Sequence, residues 1–273
     1  MLGPSHHIYL DFCALSECQY YKTPLGNLAL DTDVLEEIRQ SSETFEWMSL
    51  QTDEDEHSIE MHLPYIYKVL QLAGKVDSVK VVPILVGAIN ARKEKAYGAV
   101  LAKYLRDPEN LFVISSDFCH WSVLLPPPPS SGSLSRKLLT HTNPRGTRFS
   151  YTHYYSALPT PSSPDPAITS LGSRSKTGLH KIHESIEALD RLGMSEIETG
   201  SHDRFADYLK KTHNTICGRH PIGLIMAAIE VLERETPLPD GKGKFRFVRY
   251  EQSSKVKEPN DSSVSYASAF AIL

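Results

Sequence analysis

The chain has 273 residues, 40% of them hydrophobic and 23% charged, with 29 basic against 33 acidic side chains for a formal charge of -4. That length suffices for one large domain with a proper core, and so balanced a charge supplies no field to draw nucleic acid or an anionic membrane surface. No apolar run approaches the roughly 18 residues of a membrane span and no signal-peptide core opens the chain, while Cys13, Cys18, Cys119 and Cys217 are too scattered for a disulfide scaffold, so the expected setting is the cytoplasm, or the nucleus as well.

In chain order, Asp31 is suited to cap a helix running through Val34, Leu35 and Ile38, with Glu36 and Glu37 in its early turns. A second helix is expected from about His57, with Ile59, Leu63, Ile66, Val69 and Leu70 on one face and a break or kink at Pro64. Val79 to Val86 is nearly continuous and β-branched, the composition of a strand covered on both faces. A helix over Ala91 to Leu105 and a short buried strand over Leu111 to Ile114 follow. Strand, helix, strand at this spacing predicts an α/β fold, a single domain over 1–273 with a mostly parallel central sheet flanked by helices.

From Leu124 to about Thr177 the composition turns to Pro, Ser, Thr and Gly. Segments so poor in apolar periodicity do not offset their ordering entropy, so 124–145 and 158–178 are expected to be disordered or to form surface insertions. Between them the aromatic stretch Phe149 to Tyr155 is expected to belong to the domain. Helices then follow over Leu179 to Leu192, Asp203 to Thr212 and Pro221 to Glu233, and strands over Phe245 to Tyr250 and Val264 to Ala271.

Three stretches carry the chemistry: Gly3-Pro4-Ser5-His6-His7, Ser115-Ser116-Asp117-Phe118-Cys119-His120-Trp121, and Thr215-Ile216-Cys217-Gly218-Arg219-His220-Pro221. The second follows a predicted strand directly, where α/β folds gather their reactive groups. Imidazole and thiolate both bind first-row metals, which makes His7 and Cys217 candidate ligands. The alternative is that His6 and His7 belong to a loop and Cys217 is a small buried side chain. Asp117 and His120 lie close enough for one turn to aim both into a pocket, the carboxylate orienting the imidazole for proton transfer, or else for the Asp to cap a turn beside an unrelated His. Arg219 and His220, just before a helix start, suit an anion and equally suit a structural carboxylate. The acidic run Asp53-Glu54-Asp55-Glu56-His57 reads best as a solvated helix start. Neither a nucleophile-elbow motif nor a phosphate-cradling Gly-rich loop occurs.

Those three stretches, with Gln51 to Tyr65, His213 to Gly223 and Asp261 to Ala267, closely resemble the Memo family, mediators of cell motility, over most of the chain outside the two insertions. The resemblance implies a fold similar to the class III extradiol dioxygenases, non-heme iron enzymes that open catechol rings. It implies His7 and Cys217 as metal ligands, His120 as acid/base with Asp117 beside it, and a pocket that also involves His6, Arg219 and His220. Family members are described both as iron- or copper-binding redox proteins and as binders of phosphotyrosine peptides. The expected ligands are therefore iron or copper and either a small aromatic substrate or a phosphopeptide in a signalling role. The family also carries a His-Ala-Gly-Tyr motif with a further metal histidine, ahead of the Gly-Pro-Ser-His-His loop. These 273 residues lack it, which implies a shortened product, with some of Leu124 to Arg145 an addition to it.

Overall fold

Short triplets, three of the four fully buried and apolar, build the central sheet of this computed structural model, which describes residues 1–121, 181–258 and 260–273. They are β1 (Leu2–Pro4), β2 (Cys13–Leu15), β5 (Phe45–Trp47) and β6 (Ile84–Val86), ordered β1-β6-β2-β5. β3 (Tyr20–Thr23) and β4 (Gly26–Ala29) form a separate antiparallel hairpin. β1 pairs with β6 and β2 with β5 in parallel, but β2 and β6 are antiparallel. The sheet is thus mixed, where a mostly parallel one was expected. The reason is local: residues 5–12 between β1 and β2 include no helix, and so short a connection cannot cross over to a parallel strand. Between β2 and β5 the hairpin and helix α1 (Thr32–Arg39) supply a crossover of sufficient length.

The expected strand over residues 79–86 reduces to β6, plus one parallel bridge from Val81 to Leu30. That over residues 111–114 is an extended segment beside β1, where Leu2 N–H donates to Val113 O (2.8 Å) and Ser115 N–H to Leu2 O (2.8 Å). Leu111 itself is 86% exposed, so the burial begins only after it. The helix expected from His57 is divided. Ser49 caps α2 (Leu50–Asp55), which stops at Glu56; a 3-10 turn spans Glu60–His62, and α3 (Leu63–Leu72) starts with Pro64 in its first turn. Proline there forms the start of a helix and kinks nothing, because its missing N–H would have lacked a partner.

Helix α4 (Ala91–Arg106) crosses α7 (Arg219–Glu235) closely over the sheet, and Leu101, Tyr97, Leu224 and Ile225 join Leu2, Leu15 and Val86 in the main core. Helices α5 (Ile182–Glu198) and α6 (His202–Thr212) pack around a second cluster containing Phe118, Phe205 and Ile216. There a second sheet forms: β7 (His120–Trp121), β9 (Ser263–Phe270) and β8 (Arg246–Gln252), antiparallel in that order. The backbone from Val113 to Trp121 runs first along β1 and then along β9, stitching the two sheets together. Trp121 and Ile182 meet in a small buried cluster with Cys119, Ile186 and Val256. The expectations for 124–145, 158–178 and Phe149 to Tyr155 lie outside the described residues. Among the described residues no helix is long and apolar enough to cross a membrane.

Candidate functional site

The chain leaves β1 at Pro4 and turns through Ser5, whose N–H still reaches Val86 O (3.0 Å). His6 is then held twice by one carboxylate. Its backbone N–H donates to Glu56 Oε2 (2.6 Å) and its Nδ1 lies 2.8 Å from Glu56 Oε1. Glu56, buried at the end of α2, also accepts the N–H groups of His57 and Ser58 (3.0 Å each). Burial works against ionising Glu56, but the His6 ring and the His6 and Ser58 amides outweigh it and hold the carboxyl at about 2. A hydrogen bond to the Cys217 side chain, seconded by Glu56, raises His6 to about 9. With Nδ1 on Glu56, it is Nε2 that faces Cys217. His57 stacks on His6 at 4.5 Å between ring centroids.

The other wall is made by two backbone segments bound to each other. Asp117 N–H donates to Cys217 Sγ (3.1 Å), Cys217 N–H to Asp117 O (3.3 Å) and Gly218 N–H to Ser116 Oγ (3.1 Å). Gly218 is what lets the segments touch, since a Cβ there would stand 2.4 Å from Ser115 O. His120 is clasped by Thr215, its N–H on Oγ1 (2.8 Å) and its Nδ1 near Thr215 O (3.1 Å) and Phe118 O (3.0 Å). Carbonyls only accept, so Nδ1 carries a proton and Nε2 turns to Asp117, 3.7 Å from Oδ2.

The ligand atoms of Asp117, His120 and Cys217 all lie within 4.8 Å of one another. Thiol, imidazole and carboxylate at that spacing form a donor set for a first-row metal, and His6 flanks the thiol. His6, Glu56 and His57 form a second group of the same tightness. There, however, both oxygens of Glu56 are already taken by N–H groups, so its chemistry is that of an orienting partner. His62 faces Asp117: burial lowers its pKa and the carboxylate opposes the shift. Beside Glu56 opens a cavity of about 350 Å³ lined in part by Tyr21, Asp53, Met48 and Leu85.

Of the residues singled out from the sequence, Asp117, His120, Cys217 and His6 thus converge. His7 is exposed and edge-on to His57 (5.6 Å), in neither ligand group. Arg219 opens α7 with Nη1 3.4 Å from Ile216 O. His220 turns its Nδ1 to Glu94 Oε1 (2.6 Å); burial, its largest influence, lowers its pKa. Glu56, which the composition placed on a solvated helix start, is the residue sequence reasoning passed over. Nothing in an acidic run marks which carboxylate turns inward. The break of α2 one residue before a His-Ser pair is the single local hint.

A family model described as Memo-like protein matches residues 1–270. The chain is 43% identical to Protein MEMO1 of Xenopus laevis over 273 residues, which is 100% of this chain and 74% of that protein. It is 43% identical to Protein MEMO1 of Homo sapiens over 268 residues, covering 98% of this chain and 72% of the relative. A MEMO1 family protein of Schizosaccharomyces pombe is 40% identical over 271 residues, 99% of this chain and 77% of its own length.

Proposed function

The chain belongs to the Memo family, and from that premise we propose that it is a metal-dependent redox protein, built like the class III extradiol dioxygenases, with iron or copper held at Cys217, His120, Asp117 and His6. The observation that carries this reading is the meeting of thiol, imidazole and carboxylate within 4.8 Å. The donor set suits either metal, the thiolate and imidazoles favouring copper and the carboxylate admitting iron. A bound ion supplies one-electron exchange and open positions for oxygen or for a small aromatic substrate.

The protein's own residues do the rest. Glu56 fixes the ring of His6, so that Nε2 stands beside the Cys217 sulfur and would become a ligand atom once its proton is displaced by the metal. Of the two candidate histidines, the proposal therefore takes His6 rather than His7 as the ligand. Thr215 and Phe118 hold the Nδ1 proton of His120, so Nε2, next to Asp117, is the atom it would offer to the metal, or to a proton where no metal is bound.

Metal analysis of protein purified without a His-tag tests the proposal. Near-stoichiometric iron or copper is expected in the wild type and in His7→Ala, and loss of it in Cys217→Ala and His6→Ala. A wild type without metal, or metal that survives Cys217→Ala, would overturn it.

One observation favours a second reading, an adaptor for phosphotyrosine-type peptides in signalling and cell motility. Arg219 and His220 open the 17-residue helix α7 directly after Cys217 and Gly218, which puts a guanidinium and the positive end of a helix beside the same pocket. A metal-free wild type that binds phosphotyrosine, with the binding lost in Arg219→Ala, would decide for this role.

A further inference from the structure

Asp190 lies within α5, 0% exposed, and its hydrogen-bond partners are neutral. Its Oδ1 accepts from the Cys119 amide (3.2 Å) and from Asn214 Nδ2 (2.9 Å), and its Oδ2 from the Tyr250 hydroxyl (2.9 Å). Each of the first two donors stands one residue before a part of the site. Cys119 precedes His120, and Asn214 precedes Thr215, which clasps His120 through both Oγ1 and O. Cys217 follows two residues later and is tied back to Asp117.

Resting on the metal reading above, we propose that Asp190 is the positioning residue of the centre: one buried carboxylate on a third element that holds the two loops bearing Asp117, His120 and Cys217 in register. The network is kept at a cost. Asn214 Nδ2 serves both Asp190 and Tyr208 (2.8 Å), while its buried Oδ1 has no partner among the described residues. A residue needed only to fill space would not leave a buried carbonyl unpaired. Burial raises the carboxyl's pKa and the bonds from Asn214, Ser265, Tyr250 and the Cys119 amide oppose that rise, so the charged form depends on these contacts.

Both loop donors share Oδ1, so Asp190→Leu, of similar size, removes the acceptor that ties them together, whereas Asp190→Asn can keep an oxygen there and turn its NH₂ to the Tyr250 hydroxyl, which can accept while donating to Ser265 Oγ. In Asp190→Leu the loops should drift apart without collapse of the α5 packing. Two readouts on the full chain test this. Titration with Co²⁺ follows the sulfur-to-cobalt absorption band that reports ligation by Cys217. Amide hydrogen exchange follows His120 and Cys217 with no metal present. Asp190→Leu is expected to weaken Co²⁺ binding by about 10- to 100-fold. It should also speed exchange at His120 and Cys217 while amides of α4 and β6 keep their protection. Asp190→Asn, which keeps the shared acceptor, should stay close to wild type in both. Unchanged Co²⁺ affinity and exchange in Asp190→Leu would overturn the proposal. So would loss of protection throughout the molecule in Asp190→Leu, because the role would then be that of a core residue. A wild type lacking the cobalt band would refute the metal reading alone, and the exchange measurements would then decide the role of Asp190.

Discussion

Two neighbouring histidines at the head of the chain meet different surroundings. His6 is gripped by Glu56 and set against Cys217, while His7 points to water beside His57. In extended chain adjacent side chains point to opposite sides, so a motif can nominate the pair, but only the three-dimensional setting distinguishes its members. Asp117 and His120 were nominated because they follow a short apolar run, and Cys217 because its thiol stands just ahead of a helix start; Glu56 and Asp190 were not, since their value lies in what they meet across the fold. The same is true of Glu94, a buried carboxylate between His202 Nε2 (2.7 Å) and His220 Nδ1 (2.6 Å). Burial opposes its charge, but the two imidazoles prevail and lower its pKa; His202, also penalised by burial, is raised by Glu94, and His220 stays lowered. The signs follow. Glu94 contributes stability above its ordinary value of 4.5 and loses it as pH falls. His202 contributes fully below 6.5 and loses it as pH rises, and His220 does the reverse, subtracting as pH falls below 6.5. Urea unfolding of wild type and Glu94→Gln should therefore differ by about 1–3 kcal/mol near pH 6, and by clearly less near pH 4. A gap of equal size at both would contradict this account.

At the scale of elements, the helices with an unbroken stripe were legible, and α1, α4, α6 and α7 stand close to their expected places. The stretch from Leu50 to Leu72 was not, because its hydrophobic spacing continues across the chain's turn at Glu56 while the backbone does not. Strands of three residues, such as β2 and β5, are too short for any periodicity to announce. Helix α4 crosses α7 closely at Gly98, where a Cβ would stand 2.8 Å from Ala228 N and 3.0 Å from Leu224 O. Both are backbone atoms of a helix and cannot step aside. Alanine has a helix propensity better than glycine by about 1 kcal/mol, so a surface site would gain from Gly98→Ala. Here the substitution is expected to destabilise by about 1–3 kcal/mol, read from the denaturation midpoint. A stabilised variant would mean that the crossing is looser than these distances.

For the whole molecule the α/β class was readable from alternating strands and helices, whereas the mixed sheet and the second sheet depend on which strands pair, and that no local pattern specifies. The candidate centre sits where the two sheets are stitched together, His6 from one side and Asp117, His120 and Cys217 from the seam. A ligand that joins these groups binds only the folded state. Co²⁺ at a hundred times its Kd should add about 2.7 kcal/mol, or roughly 5–10 °C in Tm, in wild type and not in Cys217→Ala; equal shifts in both would place the ion elsewhere. The meeting of Trp121 with Ile182 in one buried cluster has a topological corollary. Two points of the chain about sixty residues apart in sequence, on either side of positions 122–180, are anchored in a single patch of core. Closing a flexible loop costs only about 0.6 kcal/mol more for each doubling of its length, so lengthening the connection between two points anchored together carries little penalty for the domain. Residues inserted between them should accordingly leave Tm almost unchanged, because Cys119, Ile186 and Val256 hold both anchors where they are.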